Sequence, residues 1–134
     1  AHPLCRQLAR ANGVETRVEI GGLFGHADFD VCKTTKSVVI CDIEGAEDAL
    51  LDPTAAPGLL HTDILVECHP GTTKGVTARQ IDRFSKTHHI TQLDRHVDDS
   101  ALPDWMHDLS DLDRLITLWE WRGGPTPWLW MERK

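Results

Sequence analysis

A parallel α/β sheet is the fold the sequence predicts, and three observations predict it. Val38-Val39-Ile40-Cys41 is an unbroken apolar run rich in β-branched residues, as in a strand buried on both faces of a parallel sheet. Asp63-Ile64-Leu65-Val66-Glu67-Cys68-His69-Pro70 holds a second such run, again ending in an acid. Helical and strand patterns alternate along the chain, which implies crossover units and a parallel sheet. Open α/β sheets bind their ligands at the C-terminal ends of the strands. Asp42 and Glu44 follow the first run and Glu67 and His69 follow the second, so these four residues share one rim. That rim is the candidate site.

Residues 2–11 read as a helix, with Pro3 in its first turn, Leu4, Leu8 and Ala11 on one face, and Asn12-Gly13 as the stop. Residues 14–20 alternate, with Val14, Thr16, Val18 and Ile20 set against Glu15, Arg17 and Glu19, and read as a strand closed by Gly21-Gly22. Residues 23–35 keep neither period and read as a loop holding at most a short helix or strand. The central strand at 37–42 is followed by a helix over 44–51, with Ala46, Ala49 and Leu50 inward and Asp52-Pro53 as its end. A connection over 54–62, with one turn at Leu59-Leu60, leads to the strand at 63–68. The glycine-bearing loop from Pro70 to Gly75 directly follows the acid end, a typical place for a substrate loop.

Thr77 is a plausible N-cap for a helix over 78–87 with Ile81 and Phe84 inward, and residues 89–95 have strand character. Residues 98–103 form an acidic turn. Leu112, Leu115, Ile116 and Trp119 then recur at helical spacing in a helix over 110–119. Gly123-Gly124-Pro125 breaks the chain before a last strand around Trp128-Leu129-Trp130-Met131. His88-His89 reads as a surface pair, since neighbours in a strand point opposite ways.

A chain of 134 residues is one domain with a modest core. Its net charge of −7 argues against a nucleic-acid backbone or an anionic membrane surface as the main partner. No apolar run approaches the roughly 20 residues that span a bilayer, and nothing resembles a signal peptide. Cys5, Cys32, Cys41 and Cys68 are scattered without a CxxC, so they read as free thiols of a reducing compartment. The expected location is cytoplasmic.

Cys41-Asp42-Ile43-Glu44-Gly45-Ala46-Glu47, then Leu50-Leu51-Asp52-Pro53, then Ile64-Leu65-Val66-Glu67-Cys68-His69-Pro70 resemble the FkbM-type branch of the S-adenosylmethionine-dependent methyltransferases. Arg83-Phe84 with Thr87-His88, Glu120-Trp121-Arg122, Pro127-Trp128-Leu129 and the opening residues 8–14 are similar to the same family. The resemblance implies a partial Rossmann-like methyltransferase sheet, mostly parallel, with an antiparallel last strand and helices on both faces. Residues 14–20, 37–42 and 63–68 would be its third, fourth and fifth strands, and 89–95 and 127–132 its sixth and seventh. The family's glycine-rich turn after the first strand and its acid after the second have no counterpart, so the expectation is the C-terminal half of the domain, a truncated methyltransferase.

By this resemblance the cofactor is S-adenosylmethionine, contacted by Asp42 and Ile43, and the reaction is methyl transfer to a hydroxyl of a small molecule. Such a displacement depends on proximity and orientation, with a base to take the hydroxyl proton. The loop after the fourth strand would lie beside the methyl group, which makes Asp42 and Glu44 catalytic candidates, with His69 after the fifth strand as the third. His69 is the candidate base, because an imidazole titrates near neutrality. A histidine after a strand is also commonly a hydrogen-bonded structural residue. Glu67, His69 and Trp128 are the substrate-binding candidates, with Trp128 and Trp130 able to stack on a sugar or aromatic ring or to pack against the helix at 110–119.

Asp42 and Glu67, joined by His69, are alternatively ligands of a divalent metal. Glu44 and Glu47 have a simpler reading as acids capping the helix that begins there. Two further readings stand beside the first: a non-catalytic binding or assembly module of the same fold, and a metal-dependent enzyme built on Asp42, Glu67 and His69. Without a first strand the edge of 37–42 is open. Either 14–20 pairs with it or a homodimer covers it.

Overall fold

The computed structural model describes residues 2–95, 98–119 and 123–134. Four strands form one mixed sheet: β1 (Val38–Cys41), β2 (Asp63–Glu67), β3 (His88–Leu93) and β4 (Trp128–Arg133), in the spatial order β1-β2-β4-β3. β1 and β2 are parallel, with Val39 opposite Ile64 and Cys41 opposite Val66. β4 is antiparallel to both β2 and β3. Three strands therefore run one way and the last runs against them, inserted between its neighbours. The expected antiparallel last strand is present, but only one adjacent pair is parallel rather than most.

The helices are α1 (His2–Ala11), α2 (Glu47–Leu50), α3 (Val76–Phe84) and α4 (Asp111–Leu118), joined by 3-10 turns at Glu15–Arg17, His26–Lys33, Pro57–His61, Asp99–Ala101 and Asp104–Met106. The core lies on one face of the sheet. Cys41, Ile64, Val66, Leu129 and Met131 meet Phe29, Leu51, Leu59, Val76 and Phe84 there, all buried. At Gly58 a side chain would run into the backbone carbonyl of Phe29, so this glycine sets how closely His26–Lys33 and Pro57–His61 approach.

The opposite face departs from the expectation of helices on both sides. Val38 and Ile40 of β1 are 54% and 71% exposed, and Leu93 of β3 is exposed beside the half-buried Trp128 and Trp130. β1 is an edge strand, so its apolar run is not buried on both faces as predicted.

Residues 14–20 are not a strand. Gly13 takes φ +65°, the Arg17 N–H bonds the Val14 carbonyl at 2.8 Å, and Glu15 ion-pairs with Arg10 of α1. The segment turns back onto α1 instead of reaching β1, and alternation without a partner strand cannot hold an extended ladder.

Other boundaries shift for local reasons. The segment 23–35 is mostly the 3-10 turn His26–Lys33, begun where the Gly25 N–H meets the Asp28 carboxylate at 2.7 Å. α2 is one turn, with Glu47 buried and Leu50 packed on the core as expected, while Ala46 and Ala49 are exposed rather than inward. α3 starts at Val76 after Gly75, whose φ of +75° ends the loop, so Thr77 lies inside the helix. α4 begins at the N-cap Ser110, but Leu112, Leu115, Ile116 and Trp119 are all exposed rather than inward. His88 is buried and only His89 is exposed, correcting the surface pair. The His88 ring contacts the Thr62 carbonyl at 3.0 Å and stands edge-on to Phe84. Trp121 and the Glu120-Trp121-Arg122 match lie outside the described residues.

Candidate functional site

β1 and β2 both end at the rim, and the chain leaves each end in a tight turn. After Asp42, Glu44 adopts φ +56° and Gly45 φ +112°, a left-handed pair that reverses the chain into α2. A Cβ on Gly45 would fall inside the Thr72 side chain, so glycine is required there twice over. The loop after β2 clasps this turn. Thr73 Oγ1 donates to the Gly45 carbonyl at 2.8 Å, while the Thr72 and Thr73 N–H groups bond the His69 carbonyl at 3.0 and 2.9 Å.

His69 sits at the centre, 4% exposed. Its Nδ1 lies 2.8 Å from Glu47 Oε1. Its Nε2 faces three further carboxylates, at 3.3 Å from Glu44, 3.7 Å from Asp42 and 4.0 Å from Glu67. Glu67 is buried, Asp42 is partly exposed and Glu44 is largely exposed. The rim predicted from sequence is thus assembled, with Asp42, Glu44, Glu67 and His69 together. Ile43 stands beside it, exposed. Trp128 is opposite Glu67 in the β2–β4 register, half-buried at the same rim.

Glu47 accepts backbone N–H groups at the start of α2, as a capping acid would, and it also holds His69. It is fully buried, and Oε1 also accepts the N–H groups of Gly45 at 2.9 Å and Ile43 at 3.3 Å. Burial pushes its pKa up, but the N–H of Gly45, its own N–H, His69 and the N–H of Ile43 outweigh burial and hold it below 4.5. A charged Glu47 accepts from His69 Nδ1–H, which leaves Nε2 as the ring nitrogen that faces the rim acids. α3 secures Glu47 from behind. Gln80 Nε2 donates to the Glu47 carbonyl at 3.2 Å, and Arg79 and Arg83 ion-pair with Asp48 at 3.0 and 3.2 Å.

Beside the site lies a cavity of about 350 Å³ lined by Glu44, His69, Gly71, Thr72 and the segment from Gly123 to Thr126. This is the size range of small-molecule sites. Two contributions were missed from sequence. One is the burial of Glu47, which three acids in six residues do not by themselves single out. The 123–126 segment reaches the rim because β4 runs against β2, so the chain entering β4 arrives at the end of β2. Only the strand order reveals that.

Asp42, Glu67 and His69 offer ligand atoms that all lie within 4.8 Å of one another. The donor set fits a divalent ion: two carboxylates, the Nε2 of an imidazole, and a carboxylate behind the imidazole. S-adenosylmethionine fits less well. The groove beside β1, about 340 Å³, is lined by Phe24, Val31, Val38, Ile40 and Ile43 with Ser37 at its end, and offers no acid for a ribose. No helix among the described residues is long and apolar enough to cross a membrane. Compared with protein-family models, curated proteins and solved structures, the chain has no significant match.

Proposed function

We propose that the chain forms the acceptor side of an S-adenosylmethionine-dependent O-methyltransferase-like domain with a partial Rossmann-like sheet, acting on a hydroxylated small molecule. The observation that carries this reading is His69, buried at the strand ends with Nε2 toward the acids and next to the cavity. A hydroxyl bound in that cavity beside His69 would give its proton to Nε2, and Glu47 would stabilise the imidazolium through Nδ1. Asp42 and Glu44 orient the hydroxyl, and Glu67 and Trp128 bound the acceptor from the β2–β4 side. Cofactor contacts beyond Asp42 and Ile43 come from another segment or a second copy, and a homodimer across the open β1 edge is the arrangement that supplies them. The free thiols suit a reducing, cytoplasmic setting.

Calorimetric titration of the folded chain with S-adenosylmethionine tests the reading. Saturable micromolar binding weakened by Asp42→Ala supports it. Absence of binding by a folded sample removes methyl transfer from this chain. The second reading, a non-catalytic binding module of the same fold, would then hold, and the apolar groove lacking an acid already favours it.

A further inference from the structure

We infer that Asp42, Glu67 and His69 form a binding site for a first-row divalent transition-metal ion, with Glu47 as the residue that positions the histidine. Their ligand atoms lie within 4.8 Å of one another, which is the spread expected of donors sharing one ion at about 2.0–2.4 Å from each. His69 Nε2 is the nitrogen donor because Nδ1 is committed to Glu47 at 2.8 Å. A carboxylate behind a ligating imidazole fixes its tautomer and raises its basicity, and such a partner is a regular feature of metal-bound histidines.

The scaffold is rigid where the ligands need it. Asp42 and Glu67 stand at the ends of two paired parallel strands, and Glu47 is held by the Ile43 and Gly45 N–H groups. The chemistry of the donors sets the ion class. An imidazole nitrogen with two carboxylates suits Mn2+, Fe2+ or Zn2+, whereas Mg2+ and Ca2+ favour oxygen donors throughout. Three protein ligands would leave further coordination positions on the ion, and of the three ligands His69 also lines the neighbouring cavity. The ligand class for those positions is a small molecule with a hydroxyl or carboxylate oxygen.

The inference stands on donor geometry and does not depend on methyl transfer. An ion on Nε2 occupies the lone pair that the proposed base uses, so the two roles of His69 are alternatives.

The test is titration of the metal-free chain with MnCl2 and, separately, MgCl2, followed by calorimetry and thermal melting, with no S-adenosylmethionine in any arm. Mn2+ is the probe because it has little affinity for the four thiols. One Mn2+ per chain should bind, with Mg2+ at least about tenfold weaker, and with Mn2+ raising the melting temperature. Asp42→Asn, on a partly exposed residue, should weaken Mn2+ binding without unfolding the chain, and Glu47→Gln should weaken it about 10–100-fold. No saturable Mn2+ binding by the folded chain overturns the inference, as does binding that Asp42→Asn and His69→Ala leave unchanged. Equal affinity for Mg2+ overturns the assigned ion class. Ion binding without cofactor binding would keep this site and remove the methyltransferase reading.

Discussion

Glu47 Oε1 stands 2.8 Å from His69 Nδ1, a buried contact between residues 22 positions apart that ties the start of α2 to the loop after β2. Removing the carboxylate as Glu47→Ala strands the Gly45 and Ile43 N–H groups and the histidine in a buried site. We expect a loss of about 3 kcal/mol in denaturant unfolding. Glu47→Gln, which keeps an acceptor oxygen, should lose less.

The same contact sets an acid limit. Glu47 is held below its ordinary value of 4.5 in the folded chain, so its charge stabilises the fold above that value. The contribution disappears as pH falls from about 4.5 through the lower folded value. Urea melts of wild type should therefore weaken across this window more steeply than those of Glu47→Gln. Equal slopes would mean that Glu47 is not held charged.

Gly45 carries φ +112° against Thr72. Gly45→Ala should cost about 1–3 kcal/mol through strain and the displaced Thr72 side chain. Glu44, with φ +56°, predicts the opposite sign: Glu44→Gly should leave stability unchanged or raise it by up to about 1 kcal/mol while removing a rim acid. Thermal melts of both variants check this pair.

The thiols separate by environment. Cys5 is exposed, whereas Cys32, Cys41 and Cys68 are buried. Burial, with the charges of Glu47 and Asp42 and the nearby Cys68, pushes Cys41 up to about 12. Cys68 is pushed up to about 11, mainly by burial. A thiol-reactive dye at neutral pH should modify Cys5 alone in the folded chain and all four cysteines in denaturant. Fast modification of Cys41 or Cys68 in the folded chain would contradict the buried packing around the rim.

Two elements of the sheet edge bear on self-association. Val38 and Ile40 are exposed on an edge strand of β-branched character. Light scattering should give a dimer at high micromolar concentration, and Ile40→Lys should return it to monomer. A wild-type monomer at that concentration would contradict the homodimer.

Much of this architecture is legible in the sequence, for a physical reason that differs by element. β1 and β2 are announced by β-branched runs, because such side chains suit a pleated strand, although β1 is an edge whose Val38 and Ile40 stay exposed. Asp42, Glu44, Glu67 and His69 follow from strand ends alone, since parallel neighbours finish on the same side. The alternation of residues 14–20 misleads because period two describes a strand only where a partner exists, and Gly13 with the Arg10–Glu15 pair folds this segment away. Leu112, Leu115 and Ile116 recur at true helical spacing yet stay exposed among the described residues. Glu47 escapes notice because its partner His69 is distant in sequence, and a one-turn helix gives no period by which to judge its inward face.

The orientation of His69 is common to the base and the metal-ligand readings, so its tautomer is the first thing to measure. Nitrogen-15 NMR of histidine-labelled protein, with His69→Gln to assign the signal, reports which ring nitrogen carries the hydrogen in the metal-free chain at pH 8. The account predicts a hydrogen on Nδ1 and a bare Nε2, with this preference lost or weakened in Glu47→Gln. A hydrogen on Nε2 and a bare Nδ1 in the wild type would contradict it.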